Sequence, residues 1–190
     1  MGRGLRARQL TFSLPQGVRT FSHALALDEM DKLDFVGLNH YHGIPARMGP
    51  QGPEPVPFPV GGPSTAIGWP ITPEALGWGA RFLYQRYQKP LYISENGLSC
   101  RDQVFLDGQV HDPQRIDFLT RYLRALDRAI AGGTDVRGYF HWSLTDNFEW
   151  AEGYSQRFGL AYVDYATGRR IPKDSAAWYR EVIRANGASL

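Results

Sequence analysis

An amide, a phenol, a carboxylate and an indole (Asn39, Tyr41, Glu95 and Trp142) each stand at or near the end of a short, mostly apolar run. In parallel α/β architectures ligands meet the C-terminal ends of strands, so Asn39 to Tyr41, Glu95 to Gly97 and Trp142 to Asn147 are where chemistry is expected. A carboxylate that a phenol can hydrogen-bond, beside a flat aromatic face the size of a sugar ring, is equipment for displacement at an anomeric carbon. Taken singly, each residue has a plainer reading. Glu95 suits a surface turn, Asn39 and Tyr41 suit satisfied core polar groups, and Trp142, Trp150 and Phe158 suit core aromatics.

The runs themselves must position these groups. Leu33 to Tyr41 and Leu91 to Ser94 read as strands buried on both faces, and Val136 to Ser143 as a third. Alternation puts Asn39 and Tyr41 on one face with His40 opposite, Glu95 in phase with Leu91 and Ile93, and Trp142 in phase with Gly138 and Phe140. Thr72 as cap and Pro73 at the first position open a helix carrying Leu76, Ala80, Leu83 and Tyr87 on one side. Asp112 and Pro113 open a second, with Ile116, Leu119, Leu123, Leu126 and Ile130 as its apolar stripe and Gly132-Gly133 as its stop. Arg121, Arg124 and Arg128 form its solvated side. A final helix is expected from about Asp174 to Asn186, and Asp107-Gly108 marks a small turn. Residues 45 to 63 hold seven of the thirteen prolines and read as a long surface loop. Residues 1 to 32 read as an irregular leader, with four Arg and no acid before residue 28. Alternating strands and helices are the rhythm of parallel βα units, here three of them.

Composition narrows the partners. With 21 Lys and Arg against 19 Asp and Glu, the net charge of +2 gives no excess for gripping phosphates, so nucleic acid is not expected. No apolar run is long enough for a membrane span, and no apolar stretch follows the basic start as a signal peptide requires, so a cytoplasmic setting is expected. One cysteine, Cys100, makes neither an internal disulfide nor a thiolate cluster. His40 and His42 have the spacing of a strand-borne metal pair but no convincing third ligand, so neither metal nor cofactor is expected.

Three stretches, Asp34-Phe-Val-Gly-Leu-Asn-His-Tyr41, Tyr92-Ile-Ser-Glu-Asn-Gly97 and Gly138-Tyr-Phe-His-Trp-Ser-Leu-Thr-Asp-Asn-Phe-Glu-Trp-Ala-Glu-Gly-Tyr-Ser-Gln-Arg-Phe-Gly159, resemble the family 1 glycoside hydrolases, the β-glucosidase group. Ala161-Tyr-Val-Asp164 and Lys173-Asp-Ser175 extend the likeness, which runs from about Leu33 to Gly187. It implies the C-terminal part, about the last three βα units, of an eight-stranded βα (TIM) barrel with retaining chemistry. Glu95 would be the nucleophile, with Ser94 where the family usually carries threonine, and His40 would stand where a second aromatic is usual. Tyr41 would hydrogen-bond Glu95, and Asn39 would help orient the sugar. Trp142 would floor the glycone site, Glu149 and Trp150 would bind the far hydroxyls, and Phe158 would close that wall. Trp69 resembles the aglycone-side tryptophan.

Retention requires a second carboxyl group about 5 to 5.5 Å from the first, as acid/base. The family takes it from an asparagine-glutamate-proline motif that occurs nowhere in these 190 residues. Pro53-Glu54-Pro55 looks superficially like it, but no strand leads into it. A complete barrel also needs roughly 250 residues. Two functions are therefore open. One is the nucleophile part of a β-glycosidase acting on a β-linked glucoside or related sugar, with a complementary N-terminal barrel half or self-association supplying the rest. The other is a non-catalytic remnant that binds sugar or serves structure. An open sheet would expose the barrel-facing sides of Phe35, Ile93 and Phe140.

Overall fold

The computed structural model describes residues 6–14, 17–25 and 33–190, the first two stretches as backbone only. Within the leader read as irregular, β1 (Arg6–Leu14) and β2 (Gly17–Leu25) pair antiparallel, Arg6 opposite Leu25 and Leu14 opposite Gly17. The junction at residues 26–32 lies outside the described residues.

A three-stranded parallel sheet forms the centre, in the order β3 (Val36–Asn39), β6 (Leu91–Asn96) and β7 (Val136–His141). Between β3 and β6 run a hairpin, β4 (Ala46–Gly49) with β5 (Gly52–Pro55), and helix α1 (Pro73–Tyr87). Helix α2 (Pro113–Ala131) connects β6 to β7. A long connection, with a single 3₁₀ turn at Trp150–Glu152, then leads to the antiparallel pair β8 (Ala161–Val163) and β9 (Arg170–Pro172) and to helix α3 (Asp174–Arg184). These are three successive parallel βα units, and among the described residues no helix is long and apolar enough to cross a membrane.

The proline-rich stretch read as a surface loop thus contains a hairpin. Glu54 lies on β5, and its carboxylate accepts from the Arg47 Nε–H at 3.4 Å, an exposed ion pair on the hairpin. The turn at Asp107-Gly108 is present, closed by Gly108 N–H on the Phe105 carbonyl at 2.9 Å.

Apolar residues collect on one face of the sheet. Leu91 and Ile93 pack there with Leu76 and Ala80 of α1, and with Phe118, Leu119, Tyr122 and Leu126 of α2. The buried stripe of α2 is rotated from the expected one: Leu119 and Leu126 are in it, but Phe118, Tyr122, Ala125 and Ala129 complete it, and Ile130 is exposed. The helix is covered by α1 as well as by the sheet, and small residues, Ala125 and Ala129, let α1 approach closely. A side chain on Gly77 of α1 would meet the Ala125 carbonyl.

The opposite face is open, and Ile93 is not on it. Ile93 is fully buried under the helices, while Phe35 and Phe140 are 55% and 58% exposed. The ring between them is Tyr92, edge-on to Phe35 at 5.0 Å and lying over Gly138, where a Cβ would collide with it. Pairing Tyr92 with Gly138 and Ile93 with Tyr139 makes Tyr92 the outward residue of β6.

Candidate active site

Simple alternation would put Glu95 with Leu91 and Ile93, in the helix-side core. The ladder prevents it. Register shifts fall between Leu38 and Asn39 on one side of β6 and between Ile93 and Asn96 on the other, so Asn39 pairs with Glu95. The irregularity re-aims the side chain, as bulges near active sites do. Glu95 is half-buried, and its carboxylate accepts a 2.6 Å hydrogen bond from the Tyr41 hydroxyl. Burial first, and then the hydrogen bond to Glu95 and the charges of Glu95 and Glu149, push the Tyr41 phenol well above its ordinary value. It therefore stays a protonated donor. Asn39 accepts from the Ser94 hydroxyl at 2.7 Å through its carbonyl oxygen, which leaves its two amide donors for another acceptor.

Neighbouring backbone fixes this pair. Asn96 spans all three strands: its amide donates to the His40 carbonyl at 2.7 Å, its Oδ1 accepts from the Tyr139 hydroxyl at 2.6 Å, and its carbonyl accepts from the Trp142 N–H at 2.9 Å. Gly97 follows because a Cβ there would run into the Trp142 carbonyl. Burial and then His42 depress the pKa of His40, and its Nε2 has no hydrogen-bond partner among the described residues. His42 lies against Trp69 at 5.5 Å, and no group of ligating side chains suited to a metal occurs among the described residues.

An aromatic wall stands beside Tyr41. Trp69 is held in a turn where Gly68 takes a positive φ of 89°, with Thr65 Oγ1 accepting the Trp69 N–H and Ser99 Oγ accepting the Ile67 N–H. Its ring lies 5.2 Å from Tyr41 and 6.1 Å from Phe158. Phe158 is only 1% exposed, so it backs Tyr41 and Trp69 from behind and does not form the surface of the wall. Trp142 donates its indole N–H to Glu149 at 3.2 Å, which joins two of the expected sugar contacts. Trp150, next to Glu149 in the chain, is 81% exposed in its 3₁₀ turn. The structure thus brings together Asn39, Tyr41, Glu95, Trp69 and Phe158, and sets Trp142 with Glu149 alongside.

The sequence reading missed what holds the connecting loops. Arg115, fully buried, pairs with Asp102 at 2.8 Å and with Asp112. Lys173 reaches Asp102 at 2.6 Å and Asp146 at 2.8 Å, and Arg157 meets Asp146 at 2.6 Å. Three cations thus face three carboxylates, so the buried cluster carries no net charge. Asp112, expected as a helix cap, makes no side-chain cap; its carboxylate takes the Ser175 N–H and hydroxyl at the start of α3. Thr72 likewise leaves its helix uncapped and accepts the Gly43 N–H at 2.7 Å. The spacing Asp112 to Arg115 was the available signal for the first pair, but it is also ordinary helical surface spacing.

The chain has relatives among known proteins. The sequence profile of Glycosyl hydrolase family 1 matches residues 20–188. The chain is 48% identical over 159 residues to Beta-glucosidase A of Thermotoga maritima, covering 83% of this chain and 36% of that protein. It is 46% identical over 175 residues to a bifunctional beta-D-glucosidase/beta-D-fucosidase of Bifidobacterium breve, covering 82% of this chain and 38% of that one. Solved structures of the Thermotoga maritima family 1 β-glucosidase, one of them in complex with deoxynojirimycin, superpose with a TM-score of 0.75 at 47% identity over 82% of this chain and 35% of theirs. The fold and the site define part of a glycoside-hydrolase barrel, and the chain belongs to glycosyl hydrolase family 1. It spans little more than a third of the length of these relatives.

Proposed function

We propose that this chain supplies the nucleophile part of a retaining β-glycosidase site, with a β-linked glucoside as the substrate class. Glu95 attacks the anomeric carbon and forms the covalent glycosyl-enzyme. Tyr41 donates to the carboxylate oxygen and keeps it aimed. Asn39 offers its amide donors to a sugar hydroxyl, Trp142 and Trp69 present aromatic faces, and Glu149, held by the Trp142 indole, takes hydroxyls at the far end with Trp150. The observation that carries the reading is the 2.6 Å bond from Tyr41 to Glu95, at the end of the central strand, where a register shift turns the carboxylate out of the core.

The acid that protonates the leaving group comes from a complementary N-terminal barrel half. General-acid protonation contributes about 10²- to 10⁴-fold, so the chain alone turns over aryl β-glucosides slowly. The buried free thiol of Cys100 suits the reducing cytoplasm. Co-expression with a fragment carrying the first five strands tests the reading. Wild-type chain should restore hydrolysis of a nitrophenyl β-glucoside, Glu95→Ala should not, and azide or formate should return part of the lost activity. Full activity of Glu95→Ala without an added anion rules the assignment out.

A second reading, a non-catalytic sugar-binding or structural remnant, draws on the open face, where Phe35 and Phe140 lie in solvent. Under it, complementation restores no turnover although sugar still binds.

A further inference from the structure

Tyr41 lies beyond the end of β3, so no ladder partner holds its backbone. Two side chains from the helix layer do. The Tyr122 hydroxyl, from the middle of α2, donates to the Tyr41 carbonyl at 3.0 Å and accepts the Thr72 N–H at 2.9 Å. Thr72, just before α1, accepts the Gly43 N–H at 2.7 Å through its own hydroxyl. The segment 41–43 is therefore pinned at both ends to the start of α1. Tyr122 is fully buried, stacked on Phe118 with centroids 3.9 Å apart, and its ring has no freedom to follow a shifted partner.

Resting on the reading of Glu95 as nucleophile, we infer that Tyr122, with Thr72, is a positioning residue for the reaction: it fixes the Tyr41 backbone so that the phenol meets the Glu95 carboxylate. The partner of the Tyr122 hydroxyl in the site is the Tyr41 backbone, not the Glu95 carboxylate. The hydroxyl acts through one carbonyl, 81 residues back in the chain. A core tyrosine serving packing alone needs only its ring. Here the hydroxyl lies between two backbone groups from separate loops and satisfies both, which a phenylalanine cannot do.

The test reads the Tyr41–Glu95 bond directly and needs no turnover. The side-chain carboxyl carbon of Glu95 is followed by NMR in the full chain at fixed neutral pH, assigned by loss of its resonance in Glu95→Gln. Tyr41→Phe sets the scale, because it deletes the donor. Tyr122→Phe, which keeps the ring stack, should move the resonance in the same direction by part of that amount, and Thr72→Ala should do so too. Phe118→Leu, which weakens the packing without touching the hydroxyl, should leave it in place. If Tyr122→Phe does not fold, Thr72→Ala decides alone. A resonance unmoved in the positioning variants but moved in Tyr41→Phe overturns the inference. So does one that Phe118→Leu moves as far as Tyr122→Phe, and so does one that Tyr41→Phe leaves in place. Failure of Glu95 as nucleophile appears only in the azide experiment and leaves these resonances as they are.

Discussion

Lys173, at the start of α3, places its ammonium 2.8 Å from the Asp146 carboxylate in the loop after β7, and both side chains are fully buried. The same carboxylate accepts the Gly159 N–H at 2.9 Å, so this pair ties the loop carrying Glu149 and Phe158 to the last helix. Removing one member of a buried pair leaves an uncompensated charge, which costs about 3 to 5 kcal/mol. Lys173→Met should lower the unfolding free energy in urea by that amount, and a loss below about 1 kcal/mol would show that Arg157 and Arg115 already compensate Asp146 and Asp102.

Asn96 makes a second testable joint. Its replacement by alanine orphans the His40 carbonyl and the Tyr139 hydroxyl, at about 1 to 3 kcal/mol for each buried group left unpaired. Tyr139→Phe removes only one partner, leaving the Asn96 Oδ1 to relax, and should cost less. Equal losses in the two variants would mean that the bond to His40 contributes nothing.

The pH dependence of stability has two histidines of opposite sign. Hydrogen bonds to Asp174 at 2.6 Å and Asp107 at 2.9 Å raise the pKa of exposed His111 in the folded chain. Its contribution is complete below the unfolded value near 6.5 and is lost as pH rises through the folded pKa. Burial, and then the charge of Arg115, push His141 down to about 3, and its ring donates to the Phe158 carbonyl. That contribution is present above about pH 6.5 and is lost as pH falls toward 3. The melting-temperature difference between wild type and His111→Gln should shrink between pH 6 and 9, because the wild type alone loses this contribution. A difference independent of pH over that range excludes the His111 bridge.

The open sheet face should make the isolated chain associate. Phe35 and Phe140 are 55% and 58% exposed, and each large apolar side chain left in water forgoes roughly 1.5 to 3 kcal/mol of burial. Sedimentation at low micromolar concentration should show self-association together with binding of an apolar dye, both reduced in Phe140→Ser. A monodisperse chain that binds no dye would mean that this face is covered in solution.

Much of this was legible in the residues. The three strands, the three helices and the meeting of Tyr41 with Glu95 follow from the apolar runs, the proline and glycine boundaries and the family motifs. What the sequence concealed was phase and long-range pairing. Ile93 was expected on the barrel side because period-two alternation carries no sign of a register shift; the shift beyond Ile93 takes Glu95 out of phase with it, so Ile93 stays under the helices while Glu95 reaches the site. Asp112 and Thr72 looked like caps because capping is what their residue types do locally, yet their partners are Ser175 and Gly43, far along the chain.

The most direct test of Glu95 as nucleophile is to trap the intermediate. The chain is complemented with the N-terminal barrel half, treated with a 2-deoxy-2-fluoro-β-glucoside bearing a good leaving group, and digested. The account predicts one added fluoroglucosyl mass on the peptide containing Glu95 in the wild-type chain, with far slower labelling in Tyr41→Phe. Label on any other carboxylate, or rapid turnover in a complex that never carries label on Glu95, contradicts it.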